Sequence, residues 1–200
     1  QILYAATFNR MNQFGNGISK GLDSKIFKSI DGGLTWNELT NGLPNGQEMS
    51  RVGLTLSTSN PNTIYSVYVG TDYNIFDVYK STDAGANWTA LNVNSGASGL
   101  DANALGGFGW YFGTIYVSPY DENTLIIPGV DMWLSQDGGL TWNRNVPEWW
   151  TYEVHADKHH VSFIDANTIV IATDGGLYKS DNLGTSWTDF SDLPITQYYD

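Results

Sequence analysis

The eight residues Ser29-Ile30-Asp31-Gly32-Gly33-Leu34-Thr35-Trp36 decide the fold, because they come back three times. The later copies are Ser81-Thr82-Asp83-Ala84-Gly85-Ala86-Asn87-Trp88, Ser135-Gln136-Asp137-Gly138-Gly139-Leu140-Thr141-Trp142 and Ser180-Asp181-Asn182-Leu183-Gly184-Thr185-Ser186-Trp187. Equivalent positions lie 52, 54 and 45 residues apart. A recurrence at that period marks a repeat architecture. A short run with an aromatic residue precedes each copy, at 26–29, 78–81, 132–135 and 177–180, and a second strand starts at each Trp. The motif is therefore the turn of a β-hairpin. Asp31, Asp83, Asp137 and Asn182 are placed to accept hydrogen bonds from their own turn. Gly33, Gly85, Gly139 and Gly184 supply a positive φ without a Cβ clash. Each Trp is expected to bury its ring where one repeat meets the next. The four Asp or Asn positions read as structural pins.

The pattern S-x-D-x-G-x-T-W resembles the Asp-box, or BNR repeat, of sialidases, xyloglucan-degrading endoglucanases, sortilin-type receptor domains and many secreted bacterial proteins. The resemblance implies an all-β chain, a β-propeller of four-stranded antiparallel blades, with the box joining the last two strands of each. It covers nearly the whole sequence. It says little about activity, because one propeller scaffold hosts many functions.

With strands named A to D within a blade, residues 1–40 form a partial blade lacking strand A. Blades at 51–92, 108–146 and 154–190 follow, and 193–200 opens the next. The second blade has A near 51–58, B at 63–70, C at 76–81 and D at 87–92. The third has A near 112–118, B at 124–129, C at 132–135 and D at 141–145. The fourth has A near 159–164, B at 168–173, C at 177–180 and D at 186–190. Turn signals such as Asn60-Pro61-Asn62 separate A from B. About three full blades with partial ends fall short of the four to eight that close a ring. The expectation is that 1–200 is one segment of a larger propeller and partners the remainder of it.

Composition narrows the function. The formal net charge is −12, which opposes binding to nucleic acid or an anionic membrane. No apolar run is long enough for a transmembrane helix. Cysteine is absent, which excludes thiolate catalysis and a disulfide framework. Abundant Gly and Trp with few basic residues suits a secreted or cell-surface protein, and the resemblance implies a bacterial one.

The boxes occupy the uniform C–D turns. The B–C and D–A loops on the opposite face vary in length, and variable loops on a rigid scaffold carry binding. Loop 92–111 ends in Trp110-Tyr111-Phe112, and loop 146–157 carries Trp149, Trp150, Tyr152 and His155. Aromatic rings of this kind either stack on sugar or seal blade junctions. Acidic residues recur after strand B as Asp72, Asp131 and Asp174, either capping turns or ringing the central channel. All three histidines fall within His155-Ala156-Asp157-Lys158-His159-His160. Two-residue periodicity puts His155, Asp157 and His159 on one side. That spacing is a weak metal signature, so no metal or other cofactor is expected. Polar lining of the channel or a hydrogen bond to Asp174 of the same blade is favoured instead.

Two functions compete. The first is a binding module that takes a protein or polysaccharide ligand through the B–C and D–A face. Its ligand residues would be Trp110, Tyr111, Trp149, Trp150, Tyr152, His155, His159, Asp72 and Asp131. The second is a glycoside hydrolase. Xyloglucanases use two Asp residues across a cleft between two propellers. Thr173-Asp174-Gly175-Gly176-Leu177-Tyr178 is similar to one of their motifs but one residue shorter, and Asp157 matches the other loosely. Asp157 and Asp174 would be the acid and base. Here both fall on one blade, which favours the binding module over the enzyme. A sialidase arginine triad is not expected from Arg10, Arg51 and Arg144.

Overall fold

The computed structural model describes residues 1–8, 11–13, 16–101 and 103–190. The chain folds into successive antiparallel sheets with little helix. The first sheet has β1 (Leu3–Ala6), β4 (Ile26–Ser29) and β5 (Asn37–Leu39), with a separate hairpin, β2 (Met11–Gln13) and β3 (Asn16–Ile18), inserted between β1 and β4. The second sheet runs β6 (Val52–Leu56), β7 (Ile64–Val69), β8 (Ile75–Ser81) and β9 (Thr89–Ala90). The third runs β10 (Tyr116–Val117), β11 (Leu125–Pro128), β12 (Met132–Ser135) and β13 (Asn143–Arg144). The fourth runs β14 (Lys158–Phe163), β15 (Ile169–Thr173), β16 (Gly176–Ser180) and β17 (Thr188–Asp189). In each four-stranded sheet, neighbours in sequence are neighbours in space. This is a β-propeller of three four-stranded blades and one three-stranded blade.

Each motif copy closes its turn by the same hydrogen bonds. The Ser29 hydroxyl donates to the Asp31 carboxylate at 2.8 Å and accepts from the Gly33 N–H at 2.8 Å. The Thr35 N–H and hydroxyl donate to the two Asp31 oxygens at 2.9 and 2.6 Å. Ser81, Asp83, Gly85 and Asn87 repeat the set, as do Ser135, Asp137, Gly139 and Thr141. In the fourth copy the Asn182 carboxamide oxygen accepts from the Ser186 N–H, and its NH₂ donates to the Ser186 hydroxyl. Hydrogen bonds, first from the Thr35 side chain and likewise from Asn87, hold the Asp31 and Asp83 carboxyls down at about 2. The glycine after each turn is left-handed, with φ between 83° and 99°. The preceding position is left-handed too, which suits Gly32 and Gly138 but strains Ala84 (φ 56°) and Leu183 (φ 53°).

The turns also join the sheets. The Ala84 carbonyl accepts from the Tyr4 hydroxyl at 2.8 Å and from Lys28 Nζ at 2.6 Å, both on the first sheet. The Leu183 carbonyl accepts from the Asn145 amide of the loop after β13. The Trp88 and Trp142 N–H groups donate to Asn41 and Ser98 in the loop leaving the preceding sheet. Apolar side chains fill each gap. Ile26, Ile64 and Trp88 pack between the first and second sheets. Val67, Leu105, Ile127 and Trp142 pack between the second and third. Ile126, Val161, Ile171 and Leu183 pack between the third and fourth. β7 and β11 are buried on both sides because each lies within a sheet covered by its neighbours.

Three expectations need correction. Trp88 and Trp142 are buried at 5% and 2% exposure, but Trp36 is 40% exposed, because its sheet has a described neighbour on one side only. Residues 109–112 form a helical turn, α1 (Gly109–Phe112), so the inner strand of the third blade starts only at Tyr116. The outer strands β9, β13 and β17 have two residues each, shorter than expected. Short polar edge strands limit pairing with other chains. The strand expected near 195–199 lies outside the described residues. No described helix is long and apolar enough to cross a membrane.

Candidate functional site

The histidine-rich stretch enters the fourth blade through an irregularity that alternation does not foresee. Asp157 has a left-handed backbone, φ 60°. Lys158 pairs with Thr173 and His160 with Ala172, so His159 is the extra residue of a β-bulge. The two-residue period therefore breaks at His159, and His155, Asp157 and His159 do not share one face of a regular strand. The exposed His155 ring instead lies over Gly175, where an added Cβ would meet it at 2.4 Å.

The bulge delivers His159 to Asp174. His159 Nε2 and Asp174 Oδ1 are 2.5 Å apart, each side chain about one-third exposed. The His159 ring lies edge-on to Tyr111 and tilted 34° against Phe112, both with centroids at 5.5 Å. Trp110 packs at 5.6 Å from Tyr111. His160 reaches the Tyr116 hydroxyl through Nδ1 at 3.1 Å. The turn that carries these aromatics, α1, is held from two sides. The Gly109 N–H donates to the Tyr73 carbonyl at 2.9 Å, and the Arg51 guanidinium donates to the Tyr111 carbonyl. Burial lowers the Arg51 pKa and raises that of the nearby Tyr116 hydroxyl.

Below His159, Lys158 is fully buried. Its Nζ donates to the Val130 carbonyl at 2.7 Å and its N–H to the Gly129 carbonyl at 2.7 Å, stitching the fourth blade to the B–C turn of the third. Burial pulls its pKa down to about 8, against the opposing pull of Asp131 and Asp157, while Arg144 adds to the lowering. Arg144 lies 3.6 Å from Asp131 and also pairs with Glu148. Asp131 Oδ1 is buried without a hydrogen-bond partner among the described residues.

The three acids after strand B therefore have different surroundings. Asp72 is exposed and caps its own turn, accepting from the Asn74 N–H and side chain at 3.2 Å. Asp131 faces Arg144 and Lys158, and Asp174 faces His159. The Asp157 carboxylate accepts no hydrogen bond among the described residues, while its carbonyl accepts from the Asp174 N–H at 3.3 Å. Trp150 and Tyr152 are 54% and 84% exposed on loop 146–157, where Trp149–Thr151 forms a 3-10 turn. Asp31, Asp83, Asp137 and Asn182 lie in the C–D turns. Arg10 is outside the described residues. No group of three or more described His, Asp or Glu side chains converges where a metal ion could sit.

Arg51, Phe112, Tyr116 and Lys158 belong to this cluster and were not picked out from sequence. Phe112 carried a signal as the last ring of the run at 110–112, and Lys158 as the one cation inside the histidine stretch. The hydrogen-bonded His and Asp, the flanking aromatics and the Asp157 carboxylate can accept and donate hydrogen bonds around a ring-shaped polar ligand.

No family model and no curated protein matches the chain. Solved structures with a similar fold include a GH74 enzyme of Niastella koreensis, at 21% identity and TM-score 0.59, covering 85% of this chain and 27% of that one. A GH74 xyloglucanase from Xanthomonas campestris matches at 18% and 0.57, covering 85% and 28%. A Hadza microbial sialidase matches at 15% and 0.52, covering 86% and 40%. The chain spans less than half the length of each. At these identities the likeness establishes the β-propeller fold.

Proposed function

We propose that the chain is part of a secreted or cell-surface recognition propeller that binds a polysaccharide through its B–C and D–A loops. The four hairpin turns are assigned to the Asp-box class on the strength of their shared hydrogen bonds. The observation that carries the functional reading is the His159–Asp174 contact beside Tyr111 and Phe112. Asp174 is engaged by an imidazole rather than opposed by a second carboxylate, so the pair orients hydrogen bonds to a ligand. Exposed Trp150 and Tyr152 extend the apolar surface along the same loop face. That two solved neighbours are named a xyloglucanase and a sialidase supports a saccharide over a protein.

A second reading is glycoside hydrolysis, favoured by the Asp157 carboxylate, which accepts no hydrogen bond among the described residues and lies one backbone hydrogen bond from Asp174. One acid would protonate the leaving oxygen while the other acts as base or nucleophile, which requires carboxyl groups about 5–9.5 Å apart. A polysaccharide panel on the intact protein separates the two. Binding without release of reducing ends, weakened in Asp174→Ala, supports recognition. Release of reducing ends that disappears in both Asp157→Ala and Asp174→Ala makes the protein a hydrolase. No binding to any polysaccharide removes the saccharide reading.

A further inference from the structure

The four motif tryptophans occupy equivalent places, and the fourth departs from the others. Trp36, Trp88 and Trp142 donate their indole N–H to the carbonyls of Gly33, Gly85 and Gly139 at 3.0–3.1 Å. The Trp187 indole nitrogen is buried with no acceptor among the described residues. The loop before the motif departs as well. Backbone bonds from Trp88 and Trp142 close the preceding loop over those rings. Among the described residues, loop 146–157 makes no such bond to Trp187.

An open cleft of about 530 Å³ lies between that loop and the outer edge of the fourth sheet. Its volume falls within the range of small-ligand sites, about 300–1,000 Å³. Trp187 and Pro147 give it an apolar side. Glu153 and Asp189 supply two carboxylates, both exposed and with no side-chain partner among the described residues. The hydroxyls of Thr185, Ser186 and Thr188 complete the lining, which contains no Lys or Arg.

We propose that this cleft is a binding subsite for one neutral sugar residue of a glycan chain. The chemistry selects that class. The apolar side suits the C–H face of a pyranose, and carboxylates accept from neighbouring sugar hydroxyls. The Thr188 hydroxyl can donate and accept, Thr185, whose proton goes to the Asn182 carbonyl, can accept, and Ser186, which accepts from the Asn182 amide, can donate. Uronate, sulfate and phosphate groups meet two uncompensated negative charges and no cation, on a chain of net charge −12. The cleft shares no residue with the His159–Asp174 cluster and stands whether or not that cluster binds saccharide.

The test is titration of the intact ¹⁵N-labelled protein with a neutral cello- or manno-tetraose and with tetragalacturonate, following indole N–H resonances. The Trp187 signal, assigned through Trp187→Phe, moves with a neutral tetraose and not with the uronate. The Glu153→Gln/Asp189→Asn double variant weakens binding at least about tenfold, the scale of losing charged hydrogen bonds. Both residues are exposed, so that variant reports even if Trp187→Phe folds poorly. The Trp187 shift is the readout of this cleft alone, and it persists in Asp174→Ala even where that variant loses binding at the central cluster, which separates the two sites. A Trp187 signal unmoved by millimolar neutral sugar overturns the proposal. So does equal or tighter binding of the uronate, or unchanged affinity in the double variant.

Discussion

Raising the pH from 7.5 to 9.5 should stabilise this protein, and Lys158 is the reason. A lysine in the unfolded chain titrates near 10.4, whereas burial holds folded Lys158 at about 8. Between those values the unfolded state binds the extra proton, so stability rises with pH. Below about pH 8 both states are protonated, and the cost of burying the charge is borne in full. Integrating the proton difference from pH 7.5 to 9.5 gives about 1.3 pH units. At 1.36 kcal/mol per unit this is about 2 kcal/mol. The assay is urea unfolding at pH 7.5, 8.5 and 9.5, read by tryptophan fluorescence, for wild type and Lys158→Met. Methionine is one heavy atom shorter but fills most of the same space without a titrating group. The difference between the two proteins isolates Lys158 from other groups that titrate in this range. Wild type should gain about 2 kcal/mol relative to the variant across the window. Parallel pH dependences, or a wild type that loses stability relative to the variant, would show that Lys158 is not buried as a charged group against Val130.

Asp137→Ala removes acceptors for the Ser135 and Thr141 hydroxyls and for the Leu140 and Thr141 N–H groups. It should cost about 2–3 kcal/mol in denaturant unfolding, with the strands still formed by circular dichroism. Acid should act on the same turns. The depressed Asp31 and Asp83 groups contribute stability that is present above about pH 4 and lost as pH falls through about 2; replacing Asp83 by Asn should flatten that part of an acid-unfolding profile. Ala84→Gly should stabilise by about 0.5 kcal/mol in thermal unfolding, because relief of left-handed strain at φ 56° outweighs the entropy glycine loses on folding.

The fold was legible because the motif's chemistry is local. Ser, Asp, Gly and Thr within eight residues satisfy one another, so the sequence window contains its own explanation. The candidate site was only half legible. Proximity of His159 to Asp174 followed from both lying at the same corner of one blade. The bulge at His159 did not, because it depends on how Lys158 seats against Val130 of another blade. Nor did the role of Tyr111 and Phe112, whose contact with His159 spans nearly fifty residues. The helical turn at 109–112 was hidden because it closes a Gly-rich loop, and four residues are too few to show a helical period. Arg51 gave no signal at all, since its partner is a backbone carbonyl and carries no sequence mark.

The carbonyls at Ala84 and Leu183 give the stack a direction. Each is gripped by side chains from the sheet made before it, Tyr4 and Lys28 in one case and Asn145 in the other. The backbone N–H groups of Trp88 and Trp142 likewise reach back to an earlier loop. A chain emerging from the ribosome therefore meets each new hairpin with its seat already built, and need not hold the hairpin open until later residues arrive. Growth from the amino end is thus templated one sheet at a time. A chain rearranged to place the fourth sheet first would lose that order while keeping every final contact.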